Sequence, residues 1–477
     1  MRGLNRFVSC ILASMLFLST AYAQNETERV IQGIDKQSAV YAETAQKIWS
    51  LAEVGYQEHE SAALLISLLE AEGFSIEKGV AGIPTAFVAS YGSGSPVVGI
   101  MGEYDALPGI SQTAMPTRQK DDAMLAGHAC GHHLFGTGSV AAAIGVKEWL
   151  AEGNTGTIRL YGTPAEEGGA GKVYLVREGL FDDVDVALHW HPGDKNDASS
   201  FTTLANRSAK FRFYGVSAHA AAAPERGRSA LDGVEAMNLM INMMREHVPQ
   251  ETRIHYVITS GGSAPNVIPD FAEVYYYVRN PDAAVLEGIW DRVVAAAEGA
   301  AMGTGTRLEF EVIHGIHSLL PNEVLADVMH ESLNVVGGVH YNETEQSFAE
   351  KLQQSFEKPR RPLGSESQIQ PNSPTASSGS TDVGDVSWVV PTAGLSTATW
   401  VPGTAAHSWQ AVAAGGTSIG AKGMMVAAKT LALTAINLFK NKTLISKARA
   451  EFDSRRGPAF EYHALLGDRA PPLDYRK

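Results

Sequence analysis

A chain of 477 residues exceeds what one hydrophobic core organises, since cores stop growing at roughly 250–300 residues, so two domains are expected. Its 44% hydrophobic and 19% charged residues are ordinary for a globular protein and exclude collagen-like and disordered classes. The formal charge of −14 makes nucleic acid and anionic membrane poor partners.

Arg2 and Arg6 precede an apolar run from Phe7 to Leu18, and Ala21-Tyr22-Ala23 follows as a small-x-small cleavage site. Residues 1–23 therefore read as a secretory signal peptide, too short in its apolar part to span a membrane. The mature chain is expected to be exported, periplasmic or secreted, with no membrane partner after cleavage. Of two cysteines, Cys10 leaves with the leader. Cys130 then stands alone, as a free thiol, an intermolecular link or a metal ligand.

Residues 25–72 read as two helices, the second from Ser61 to Glu72 with apolar residues at helical spacing and a stop at Gly73. Thr85–Tyr91 and Val97–Glu103 read as strands. The second delivers Asp105, which is either a turn former or a carboxylate that orients a metal-bound imidazole. Next, Gly127-His128-Ala129-Cys130-Gly131-His132-His133 packs three imidazoles and a thiol into one short stretch. Thiolate and neutral imidazole are the ligands zinc prefers, although a small buried Cys beside histidines is the plainer reading of this motif alone. A helix of small residues follows from about Thr137 to Leu150.

The strand Thr157–Tyr161 leads into Glu166-Glu167-Gly168-Gly169. These adjacent carboxylates are an acidic first helical turn, or a metal ligand beside a general base. Val184–Trp190 is a buried strand carrying His189 and His191, which, two apart, face the same side.

From Asn206 the texture changes. Strands at Phe211–Gly215, Arg253–Thr259, Glu273–Val278 and Arg307–Ile316 alternate with helices at about Ser229–His247 and Asp282–Met302. The order strand, helix, strand, strand, helix, strand defines an inserted α+β unit. His219 and Asn266 sit on its loops, where polar residues are common with or without a role. Arg279 ends a strand, either in a structural ion pair or facing a substrate carboxylate. After Asn322 the first domain resumes. Glu343–Ser380 reads as a long polar loop. The two Asp of Thr381-Asp382-Val383-Gly384-Asp385 cap turns or support a site. His407 lies in a Gly/Pro loop before a closing helix at about Ser418–Lys440. The tail after Lys442 is charged and Pro-rich.

Candidate ligands thus leave four loops, several at the ends of predicted parallel strands, where open α/β sheets build their sites. On the stretches Cys130-Gly131-His132, Thr163–Gly169, Arg177–Asp185, Ser260–Asn266, Thr381–Trp388 and Gly403–Gln410, the chain resembles the zinc-dependent aminoacylase and carboxypeptidase metallopeptidase family, in its amidohydrolase branch. The resemblance spans roughly residues 30–440. It implies a two-domain α/β fold. A catalytic domain with a mixed, mostly parallel sheet covered by helices occupies 24–205 and 319–445, with the polar loop 343–380. An inserted ferredoxin-like lid and dimerisation domain occupies 206–318, and a surface tail 446–477. It also implies two divalent metal ions, zinc by preference with manganese, cobalt and nickel admitted, and a homodimer.

Residue by residue, the resemblance makes Cys130 the bridging ligand. His132, Glu167, His191 and His407 become further ligands, and Glu166 the general base. The family's strand-end ligand falls on position 189 or 191, and His191 is the assignment. Asp105 becomes the carboxylate behind a ligating His, while His133 departs from an Asp common in the branch. His219 and Asn266 become groups that polarise the scissile carbonyl, His219 from a partner subunit, and Arg279 holds the substrate carboxylate. The expected reaction is hydrolysis of the amide of an N-acyl or N-aroyl amino acid. An exported carboxypeptidase or dipeptidase on small peptides is one alternative, and a non-catalytic metal- or peptide-binding protein another.

Overall fold

The computed structural model describes residues 26–358 and 360–476; the signal peptide expected at 1–23 lies outside the described residues. The catalytic domain is built on a six-stranded sheet. Its strands are β1 (Ser75–Lys78), β2 (Phe87–Ser93), β3 (Val97–Gly102), β4 (Gly156–Gly162), β5 (Val186–Gly193) and, from after the insertion, β10 (Thr392–Ala398). They lie in the order β1-β2-β4-β3-β5-β10. The last four are mutually parallel, and β1 and β2 are antiparallel additions at one edge. Four parallel strands need cover on both faces, so Ile100, Ile158, Leu188 and their neighbours read as continuous apolar runs.

One face packs on helices α1 (Ser38–Leu51), α2 (His59–Ala71), α3 (His132–Ala151) and α6 (Ser418–Lys440). Helix α6 is long and apolar enough to cross a membrane, and it is buried inside this core against α3. Its apolar run serves domain packing, a use that sequence length alone does not separate from a membrane span. The other face is covered by the helix Gly171–Arg177, by Val383–Ser387 and by residues of the C-terminal segment such as Leu466.

The inserted domain is a four-stranded antiparallel sheet of β6 (Ala205–Tyr214), β7 (Arg253–Ser260), β8 (Phe271–Asn280) and β9 (Arg307–Ile316), in the order β7-β8-β6-β9. Helices α4 (Ala230–Met244) and α5 (Ala283–Thr304) cover one face of it. Along β8 the side chains alternate. Ala272, Val274, Tyr276 and Val278 are buried under the helices, while Tyr275, Tyr277 and Arg279 take the opposite face. Each large apolar side chain buried there contributes about 1.5–3 kcal/mol. The order is that of a ferredoxin-like unit, as its strand and helix pattern predicts.

Two stretches differ from the sequence reading. Glu343–Gln353, read as the start of a polar loop, is a helix closed by a capping box between Asn342 and Glu345, with Ala349 and Leu352 buried. The tail begins as a helix, Lys442–Arg456, and then packs: Phe452, Leu465 and Leu466 are buried. Each burial depends on contacts with distant segments.

Candidate metal centre and active site

The parallel strands aim their C-terminal ends at one cavity of about 1030 Å³ between the sheet and the inserted domain. Strand β3 ends just before Glu103 and Asp105, β4 just before Glu166 and Glu167, and β5 carries His189 and His191. Cys130 and His132 come from the turn into α3. That turn needs Gly131, which has φ of 76°, and a Cβ there would lie 2.6 Å from Pro192.

Three overlapping groups have ligand atoms all within 4.8 Å of one another: Cys130, His132 and His191; Cys130, Glu167 and His407; and Glu103, His132 and Glu166. The imidazole tautomers suit ligation. His132 donates from Nδ1 to Asp105 Oδ1 at 2.9 Å, which fixes the ring with Nε2 among the other donors, 3.0 Å from Glu103 Oε2. His191 donates from Nδ1 to the Pro192 carbonyl at 2.8 Å, and its Nε2 lies 3.4 Å from Cys130 Sγ. Asp105 does a second job, because its Oδ2 accepts from the Glu167 amide at 2.9 Å. His407 Nε2 lies 3.0 Å from Glu167 Oε1, and that carboxylate raises its pKa.

Buried Glu103 Oε2 lies 3.0 Å from His132 Nε2, and buried Glu167 Oε1 lies 3.0 Å from His407 Nε2, neither pair in a well-directed hydrogen bond. Buried polar atoms so placed are costly, about 1–3 kcal/mol each, and divalent cations, one among Glu103, His132 and Glu166 and one among Cys130, Glu167 and His407, would satisfy them. The thiol, imidazole and carboxylate donors thus fit such ions. Without a cation, burial pushes the Cys130 thiol far up, and ligation is what would hold it as thiolate. Burial, then Glu103 and Glu167, push Glu166 well above the usual carboxylate range. A carboxyl so placed is suited to take up and return a proton near neutrality.

Three supporting residues escape the sequence reading. Glu103 accepts from Lys172 Nζ at 2.6 Å, and Lys172 also donates to Asp382 at 2.7 Å, all of them buried. Asp382, which the sequence leaves between turn cap and site support, is thereby tied to the pocket; Asp385 instead binds the His317 amide and Tyr462. Glu58, buried with its pKa pushed up to about 8 by burial and by Asp105, accepts from the Ala165 amide at 2.9 Å. That bond holds Ala165 at φ of 59°, one residue before Glu166. A lone Lys in a helix and a Glu before one carry no local signal of these contacts.

His189 also faces the cavity, but its ring rests on Gly394, and burial lowers its pKa to about 3. His133 turns away, with Nε2 3.0 Å from the Gly415 carbonyl. Arg279 lines the cavity, its guanidinium 5.5 Å from the Tyr277 ring centre. His219 and Asn266 do not line it. Their segments pair with each other, the Ala220 amide 3.0 Å from the Asn266 carbonyl, and both side chains are exposed. Within one chain the structure brings together Asp105, Cys130, His132, Glu166, Glu167, His191, Arg279 and His407, and leaves His219 and Asn266 outside.

This fold and donor set define a metal-dependent hydrolase of amide or peptide bonds. Residues 205–304 match the peptidase dimerisation domain. The chain is 42% identical over 441 residues to a p-aminobenzoyl-glutamate hydrolase chain of Escherichia coli K12, covering 86% of this chain and 91% of that protein. It is 30% identical over 440 residues to the Xaa-Arg dipeptidase of Mus musculus, covering 89% and 91%. Its fold is shared with a dinuclear metal-binding peptidase of the M20 family from Bacillus subtilis, with a TM-score of 0.59 at 19% identity, covering 85% of this chain and 99% of that one. The chain belongs to the M20 family of metallopeptidases and amidohydrolases.

Proposed function

We propose that this enzyme cleaves the amide bond of N-acyl or N-aroyl amino acids with a free α-carboxylate, of the p-aminobenzoyl-glutamate kind. The observation that carries the reading is Glu166, a half-buried carboxyl with a raised pKa beside the Cys130, His132 and Glu167 donors. A site that only bound its ligand would have no need of a base there.

Two divalent cations held by Cys130, His132, Glu167, His191 and His407 would polarise the carbonyl and acidify water. Zinc suits the thiolate, and manganese, cobalt and nickel suit the remaining donors. Glu166 accepts the proton of the attacking water and returns it to the amide nitrogen as the C–N bond breaks. Asp105 holds His132 and the Glu167 backbone in register. Arg279 receives the α-carboxylate. His219 and Asn266 act on the carbonyl oxygen from the partner subunit of a homodimer formed through the inserted domain, which closes over the substrate. The leader places the enzyme outside the cytoplasm, where it meets small extracellular conjugates. The E. coli relative's name supports the substrate class; the mouse relative's name supports a dipeptidase as second reading.

The test is metal analysis of the purified mature protein, with hydrolysis of p-aminobenzoyl-glutamate, N-acetyl and N-benzoyl amino acids and Xaa-Arg dipeptides, before and after chelation. About two metals per chain, with activity on the N-acyl substrates lost to chelator and restored by metal, are expected. Preference for the dipeptides would replace this reading with the second. Bound metal without turnover of any substrate would leave a binding protein.

A further inference from the structure

The C-terminal segment after Arg456 crosses both domains. On the catalytic side, Arg177 donates to the carbonyls of Gly467 and Arg469 at 3.2 and 2.8 Å, and Gln57 donates to that of Leu473 at 2.7 Å. On the inserted domain, Arg469 donates to the carbonyls of Val312 and Ile313, at 2.6 and 2.8 Å, on the last strand of its sheet. The segment ends against the metal pocket. The Tyr475 ring packs edge-on against Tyr56, and its hydroxyl lies 3.2 Å from the Glu167 carbonyl.

The next residue, Arg476, enters the active-site cavity. One of its amino groups donates to the Glu167 carbonyl at 2.8 Å, and its guanidinium lies 4.9 Å from the Tyr475 ring centre. That contact occupies one of five donors. Among the described residues Arg476 forms no ion pair, and neither does Arg279. The third cation lining the cavity, Lys195, is already paired with Asp197 at 2.5 Å. Two unpaired guanidiniums therefore border one cavity in a strongly acidic chain.

Arg279 belongs to a row of side chains on strand β8. Arg279 and Tyr277 share its cavity-facing side, and Tyr275 continues that row, its ring 5.4 Å from that of Tyr277. The two cations thus border one cavity, Arg279 from a tyrosine row on the inserted domain and Arg476 from the C-terminal segment beside Glu167. A single α-carboxylate needs one of them. A second carboxylate on the same small molecule would meet the other, and guanidinium is the group best matched to it.

We propose that Arg476 is a specificity-determining residue that recognises a second carboxylate, so that the enzyme selects amides of dicarboxylic amino acids. This rests on the proposed amide hydrolysis of N-acyl amino acids but assigns a feature of the leaving group, delivered by a segment outside the metal-binding loops.

The experiment compares wild type with Arg476→Ala and Arg476→Lys on matched substrates, N-benzoyl-glutamate against N-benzoyl-alanine, with metal content recorded for each. Calorimetry of L-glutamate and L-alanine binding to the metal-loaded proteins runs beside it. Wild type is expected to favour the dicarboxylate in kcat/KM and in affinity. In Arg476→Ala that ratio falls about 10- to 100-fold, mainly through KM, the loss of one charge-assisted contact. Arg476→Lys retains part of it. An equal loss on both substrates, or loss of metal, would make Arg476 a support of the Glu167 loop and overturn the proposal. So would a wild type without dicarboxylate preference. Should no N-acyl amino acid be hydrolysed while Arg476-dependent glutamate binding persists, the functional reading fails and the recognition site stands.

Discussion

Glu166 and His219 are both assigned to the same reaction, yet they sit in opposite physical settings. Glu166 lies just beyond the end of a central strand, half-buried, with Glu58, Asp105 and the Lys172–Glu103–Asp382 cluster fixing its surroundings. His219 lies on an exposed loop of the inserted domain, its Nδ1 accepting only local amides of Ala221 and Ala222 at 3.2 Å. The first region is complete within one chain because rigid parallel strands converge there. The second is presented outward, as a group intended for another copy would be. Geometry that must be held to fractions of an ångström is built on the sheet, and the group proposed to complete it is carried by the inserted domain.

Apart from the base itself, the largest effect should come from the outward region. His219→Ala is expected to lower kcat by about 10²–10³, the value of one oxyanion donor, with metal content and melting temperature at wild-type levels. Co-expression with a Glu166→Gln chain should then restore activity in mixed dimers, measured by turnover of the separated species. No recovery would place His219 in its own chain's site.

Within the buried region, Lys172→Met leaves Glu103 and Asp382 as two buried carboxylates without their cation. Stability should fall by about 3–5 kcal/mol in denaturant titration. A loss below about 1 kcal/mol would mean that the cluster is not organising the pocket. Asp105→Asn keeps an acceptor for His132 but removes its charge and weakens the hold on Glu167. Metal affinity should drop about 10- to 100-fold in a competition assay.

A further effect is expected on pH dependence. Burial lowers the His314 pKa to about 4, with Arg279 and Arg469 adding to it. Its folded pKa lies below the unfolded value near 6.5, so folded His314 stays neutral where the unfolded side chain takes a proton. Its contribution is intact above about pH 6.5 and is lost as pH falls toward 4, at about 1.4 kcal/mol per pH unit. His314→Gln should flatten the acid limb of stability by that slope, and an unchanged limb would reject it.

The same contrast governs what the sequence reveals. Cys130-Gly131-His132, Glu166-Glu167 and the His189/His191 pair are legible because each is a local motif, in the turn into a helix or near a strand end. The inserted unit is legible because half-buried strands and amphipathic helices carry their own periods. Lys172 is not, because in sequence it is one polar residue in a short helix and only the fold sets it against Glu103 and Asp382. Arg476 and the segment that carries it are hidden for the same reason, since their contacts join residues roughly 160 to 420 positions apart. The helix at Glu343 is the opposite case. Its Asn342-x-x-Glu345 capping signal is present, but the polar residues around it mask the period.

The most direct test of the account is Glu166→Gln measured beside wild type for both metal content and single-turnover amide hydrolysis. Equal metal in the two proteins, with hydrolysis slowed by about 10²–10⁴ in the variant, is the predicted result. A variant that binds metal and hydrolyses the amide as fast as wild type would contradict the assignment of Glu166, and with it the claim that this pocket is built around a base beside its metal ligands.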